Sequence, residues 1–279
     1  MNNGKEKPWS PPLDDDLTWF CAAGRLPSHP RPLDFTFEID AFTFGVSRAL
    51  ESLYFPFYEL RTRLMDGQLY FASIPSAFAE RDIDAQMQRM RDSGLRFTRN
   101  IRRTWERPIR GEVEEYNDRL AAFAGSAAPD SDLAQELRAL KRTRANQWFA
   151  GTRAVFAPAE LLKHGVGETP PEEAEAVVAE ALGLIQEQGA VALERALLHV
   201  GERLVESGAI DVPANVYWLD YDAVRRTLGT VTSQQDAVQA AKALAARSPG
   251  LSGPDTVGFA LPSDAPRMYL IREILAVIA

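Results

Sequence analysis

One cysteine, Cys21, is all this sequence of 279 residues holds, so no intrachain disulfide can form. A reducing compartment follows, and the chain is expected to be cytoplasmic. Histidine is nearly as scarce. His29, His164 and His199 are scattered, so no histidine-built metal site is expected. No G-x-x-x-x-G-K-[ST] or G-x-G-x-x-G loop is present to cradle a phosphate, and neither H-E-x-x-H nor a G-x-S-x-G elbow occurs. Long apolar runs are missing too: none reaches the ~18 residues of a membrane span. Met1 to Pro8 lacks the apolar core of a signal peptide. Positive charge is in deficit, with 31 Lys and Arg against 39 Asp and Glu and a net charge of −8. Nucleic acid and anionic membranes, which need a basic face, are therefore not expected as general partners. What remains is a composition 46% hydrophobic and 25% charged, enough to bury a sizeable core.

The patterning predicts a mainly α protein, a bundle of long antiparallel helices with at most one small β element. Residues 1–32 read as an extended arm rich in proline and aromatics, and 33–279 as a single helical substrate-binding domain. A first helix is predicted from Phe42 to Tyr58, then a strand Gln68–Ala72 after the turn dipeptide Asp66-Gly67. A helix from Pro75 is expected to stop at Ser93-Gly94. Arg96 to Phe123 reads as a helix dominated by charge. From Ser131, Leu133, Leu137, Leu140, Trp148 and Val155 make an apolar stripe built for helix packing. Thr169-Pro170-Pro171-Glu172 has the form of a capping box and opens a helix to Glu206. Gly183 and Gly189 interrupt it, each costing about 1 kcal/mol against alanine, so a bend or close contact is expected there. Val216 to Leu219 reads as extended, Asp220 as the cap of a short helix, and Met268 to Ile278 as a final helical segment.

Several residues carry a functional reading beside a plainer one. His199 on the long helix could act as a base, or be an ordinary helix histidine. His164 could line a pocket, or complement a helix dipole. Trp148, Phe149 and Phe156 could wall a pocket for an aromatic substrate together with Val178 and Ile185, or simply fill the core. The arginines Arg99, Arg102, Arg103 and Arg107 could dock an acidic partner, or form a solvated face.

Ala196-Leu197-Leu198-His199-Val200-Gly201-Glu202-Arg203-Leu204-Val205-Glu206-Ser207-Gly208-Ala209-Ile210, followed by Val216-Tyr217-Trp218-Leu219, resembles a pattern of rifampin phosphotransferases and related dikinase-like proteins. There a helix "ALLxxGxxLVxxGxI" leads to "DVFYLTxxEL". Met65-Asp66-Gly67-Gln68-Leu69-Tyr70-Phe71 is similar to the family's "VNGYLY" strand. Trp19, His29, Pro30 and Pro32 are similar to the arm before it. Ala159-Glu160-Leu161-Leu162-Lys163-His164 is a further likeness.

The resemblance implies an acceptor-binding domain that works with an ATP-grasp domain and a swivelling domain whose histidine carries the phosphate. Neither of those two is expected in this chain. ATP and Mg would sit on a partner subunit, as in the split phenylphosphate and cresol-phosphorylating synthases. The implied function is the acceptor-binding subunit of a split ATP-dependent phosphotransferase acting on a small, hydroxylated, phenolic compound. Basic residues of the family's long helix face the transfer point, and here Gly189 and Glu194 stand nearest, with Arg195 the neighbouring basic residue. His199, His164 and Arg195 are thus the catalytic candidates. A stand-alone helical ligand-binding protein and a purely structural subunit are the alternatives. An apolar pocket is expected between Ser131–Lys163 and Pro171–Glu206.

Overall fold

The computed structural model describes residues 17–21, 29–55, 57–65, 67–75, 83–163, 165–230, 232–246 and 256–258. His164 and the helix expected at 268–278 lie outside them. The fold is mainly α with one small sheet. The sheet is antiparallel, in the order β2-β3-β1-β4. Its hairpin joins β2 (Phe57–Met65) to β3 (Gln68–Pro75), with Gly67 at φ 80°, a backbone that glycine adopts without strain. The arm supplies β1 (Thr18–Cys21), where Trp19 pairs with Ala72 and is buried with Met65 and Tyr70. Strand β4 (Thr256–Gly258) pairs with β1.

Four helical stretches, three of them broken by π-turns, build the body. The chain enters α1 (Asp40–Ser52) through a π-helical segment, Asp34–Ile39. The helix expected to reach Tyr58 ends at Leu53, because Tyr54 takes φ 61° and turns the chain toward β2. After α2 (Ile83–Thr98), α3 (Ile101–Thr104) leads to α4 (Arg110–Phe123). The stop expected at Gly94 does not occur. Gly94 lies inside α2, where a side chain would strike Leu161. The continuous charged helix expected from Arg96 is instead broken twice. Asn100 caps α3 by accepting from the Arg103 amide at 3.0 Å, and Pro108 holds Arg107 extended at φ −143°, ψ 110°.

The long helix begins as α5 (Asp130–Gly151) and passes through the π-turn Thr152–Phe156 into α6 (Ala157–Lys163). Helix α1 presses against α5 at Gly45, where an added Cβ would sit 2.6 Å from Trp148 Cβ. The last long helix comprises α7 (Pro171–Leu182), the π-turn Gly183–Gln188 and α8 (Gly189–Glu206). By length and composition Glu172–Glu206 could cross a membrane, but its Ala181, Ile185, Leu193, Leu197 and Val200 are packed in the core. Its first turn lacks the expected Thr169 cap: Pro170 holds that position and the Thr169 hydroxyl donates to the Thr98 carbonyl. The segment expected to be extended is a 3-10 turn, Pro213–Trp218. Asp220 does cap α9 (Tyr221–Gly229), accepting from the Ala223 amide at 2.7 Å, and α10 (Gln235–Ala246) follows.

The interior divides in two. One cluster joins Phe42, Trp105, Trp148, Phe156 and Ile185. The other joins Leu137, Leu197, Val200, Tyr217 and Leu228. Helix α5 runs through both, and where they meet its inner stripe carries a charge: Arg144.

Candidate functional site

A π-turn closes one ring over five residues instead of four, so a carbonyl is left over for a side chain. Helix α5 exploits this at two places. Lys141 Nζ donates to the Thr36 carbonyl at 2.6 Å, in the segment before α1. Arg144 Nη1 donates to the Ile185 carbonyl at 2.9 Å, in the segment before α8. Gly189 makes room for that guanidinium, since a Cβ there would lie 3.2 Å from Arg144 Nη1 and 3.3 Å from Asn117 Oδ1.

Arg144 is 2% exposed and its main partner is Glu38, at 2.6 Å from Nη2 and 2.9 Å from Nε. Burial works against the arginine charge and Glu38 outweighs it, leaving the Arg144 pKa above its ordinary value. Glu38 Oε1 also accepts from the Trp148 indole at 3.2 Å, whereas Oε2, among the described residues, accepts only from Arg144 Nε, at 2.9 Å. The carboxylate is 19% exposed, so it is reachable from one side.

That side is a cleft of about 280 Å³. Glu38 and Arg144 form its charged floor, and Ile39, Leu193 and Leu197 give it apolar walls. At the rim stand Arg31, Asp34, Glu194 and Tyr217. Arg31 is held by Asp34 at 2.7 Å and lies 3.7 Å over the Tyr217 ring. The Tyr217 hydroxyl donates to the Glu194 carbonyl at 3.4 Å. Burial first, then the carboxylates of Glu194 and Asp34, push the Tyr217 pKa up to about 12, with Arg31 pulling the other way, so the phenol stays protonated at neutral pH.

The predicted pocket residues Trp148, Phe156, Val178 and Ile185 meet in one core cluster rather than around a cavity, and His199 and Arg195 lie apart from them. Trp148, Phe156 and Ile185 are at most 1% exposed; they fill the core between α5 and α7–α8, where the apolar pocket was expected. Trp148 supports the cleft from behind through Glu38. Phe149 is half-buried beside Arg48 and Arg153, with the Arg48 guanidinium 4.9 Å from its ring, and Val178 is packed against the core. His199 donates from Nε2 to the Ser126 carbonyl at 3.0 Å and lies edge-on to Phe123. Arg195 borders a groove between α4 and α8 with Ala121 and Val191. Both are on the other side of α8 from the cleft.

The arginine run divides as well. Arg102 reaches Glu173 at 3.7 Å and Arg110 reaches Glu180 at 2.7 Å, tying the α3–α4 stretch to α7. Arg99, Arg103 and Arg107 are exposed and make no side-chain ion pair among the described residues.

No protein-family model matches this chain, and no curated protein or solved structure matches it significantly. Among the described residues no group of histidine, cysteine and carboxylates could hold a metal ion.

Sequence reasoning missed Glu38 and Arg144. A signal for Arg144 was available. Leu133, Leu137, Leu140, Arg144 and Trp148 fall at helical spacing on one stripe, and a lone charge on such a stripe must be paired when buried. Nothing local marks Glu38, whose partner is 106 residues away.

Proposed function

We propose that this chain is the acceptor-binding subunit of a split, ATP-dependent dikinase-type phosphotransferase, with the cleft as its acceptor site. One observation carries the reading. Parts of the family likeness meet at the cleft: Leu197 from Ala196–Ile210, Tyr217 from Val216–Leu219, and Arg31 between Pro30 and Pro32 of the arm, whereas the Met65–Phe71 strand does not line it. Leu193, Leu197 and Ile39 desolvate the ring of a small phenolic acceptor, and the floor orients its hydroxyl. The open lone pair of Glu38 Oε2 takes or shares the hydroxyl proton, while Arg144 balances the charge. Glu38 thus replaces His199 as the base. ATP and Mg²⁺ belong to an ATP-grasp partner and the phosphate to its swivelling histidine. The unpaired Arg99, Arg103 and Arg107 serve as the docking face for that acidic partner.

The test is reconstitution with candidate ATP-grasp and swivelling-histidine subunits. AMP formation should depend on both the phenol and this chain. Glu38→Gln should lower kcat about 100-fold while leaving assembly intact. Reversing charge at Arg99, Arg103 and Arg107 together should weaken assembly, and raised salt should mimic it in the wild type. Micromolar ATP binding by the isolated chain, or phenol turnover indifferent to its presence, would return the chain to a stand-alone binding or structural role.

A further inference from the structure

We infer that the cleft takes a small ligand bearing one positive charge on an apolar or aromatic body, and that Glu194 selects the charge. The inference rests on the reading of this cleft as the acceptor site and narrows the acceptor to a phenolic amine.

The argument is a count of charges. Five ionisable side chains other than tyrosine line the cleft: Arg31, Asp34, Glu38, Arg144 and Glu194. Both cations are committed. Arg31 is gripped by both oxygens of Asp34, at 2.7 and 3.2 Å, and spends its flat face on Tyr217. Arg144 is fully engaged by Glu38, Gln147 and the Ile185 carbonyl. Each pair is neutral, and Arg144 lies too deep to turn toward another anion. Glu194 is left over. Its carboxylate is exposed at the rim and makes no hydrogen bond or ion pair among the described residues. Tyr217, the other titratable neighbour, stays neutral. The lining therefore carries a net charge of −1, concentrated at the mouth, above walls of Leu193, Leu197 and Ile39.

An anionic ligand would meet an unbalanced carboxylate with no free cation to answer it. A neutral phenol would bind by its ring. An ammonium restores neutrality at the rim, where its remaining donors keep their water, while the ring occupies the apolar walls and the hydroxyl reaches Glu38. Part of the attraction is screened by solvent. A pair of this exposure is worth a factor of about five in affinity.

Calorimetry on the full chain with four compounds of one shape separates the possibilities: tyramine, 4-ethylphenol, 4-hydroxyphenylacetate and phenethylamine. Tyramine should bind about fivefold tighter than 4-ethylphenol, and 4-hydroxyphenylacetate weakest of the phenols. In Glu194→Gln the three phenols should converge. Equal binding of the phenols in the wild type, or an order that survives Glu194→Gln, overturns charge selection and leaves the phenolic acceptor site standing. Phenethylamine binding as tightly as tyramine while 4-ethylphenol fails to bind upholds charge selection and overturns the phenolic acceptor. Failure of all four at millimolar concentration overturns both.

Discussion

The two sides of helix α8 carry similar side chains and use them differently. Toward α4 it presents Val191, Arg195 and His199 beside a groove floored by alanines, and its polar groups answer to a loop carbonyl and to water. Glu202, 61% exposed, lies 3.5 Å from His199 and is free to leave it. Toward α1 and α5 it presents Leu193, Glu194 and Leu197 over a guanidinium removed from solvent. The pair beneath cannot let go, because each member would be stranded in a medium that does not solvate charge. Residue type alone pointed to the first side. Burial puts the paired charges on the second.

The largest break in that contrast comes from removing one carboxylate on each side. Glu38→Ala strands Arg144 and should cost about 3–5 kcal/mol of unfolding free energy. Glu202→Ala should stay within about 0.5 kcal/mol of wild type. Urea unfolding reads both. Replacing the pair together, as Glu38→Leu with Arg144→Met, should recover most of the loss, since an apolar pair of similar volume is no worse buried. Equal effects on the two sides would mean that Arg144 finds water when its partner goes.

A smaller effect separates two glycines on the last long helix. Gly201 lies against the turn that carries Tyr217: an added Cβ would sit 2.8 Å from the Pro213 carbonyl carbon and 2.9 Å from its Cα. Backbone cannot swing aside as a side chain does, so Gly201→Ala should cost about 1–3 kcal/mol. At Gly183 a Cβ meets nothing within 4 Å, and alanine there should stabilise by up to about 1 kcal/mol through helix propensity. Denaturation midpoints at unchanged slope should move in opposite directions.

These contrasts mark where the sequence was legible. Helix α5 could be read from its stripe, the β2–β3 turn from Asp66-Gly67 and α9 from its cap at Asp220, because each signal is local. The breaks at Asn100 and Pro108 override a run that reads as one charged helix. Thr169 looked like a cap because its spacing to Glu172 fits, but the hydroxyl found Thr98 across the fold. The site suffered most. Its floor joins residues 106 positions apart, and its frame depends on π-turns that leave no pattern in the residues. Tyr217 and Arg31 lay within motifs that had been singled out, yet only the fold puts one ring under the other's guanidinium.

The smallest effect belongs to Tyr217 and tests whether the rim charges reach it. Its pKa stands at about 12 in the folded protein against an ordinary 10.0. The phenol is therefore held protonated by folding, while the unfolded chain releases that proton first. Its share of stability is intact below pH 10 and is lost as pH rises toward 12. Phenolate absorbance should show a late-ionising step in the wild type that Tyr217→Phe lacks. Stability should fall less steeply above pH 10 in that variant. Burial is the main cause of the shift and neither rim substitution removes it, but the smaller causes have opposite signs. Glu194→Gln should bring the late step down, and Arg31→Ala should push it further up. A step that ignores both substitutions would show solvent to be screening the rim, and the unpaired charge of Glu194 would then be too weakly felt to choose a ligand.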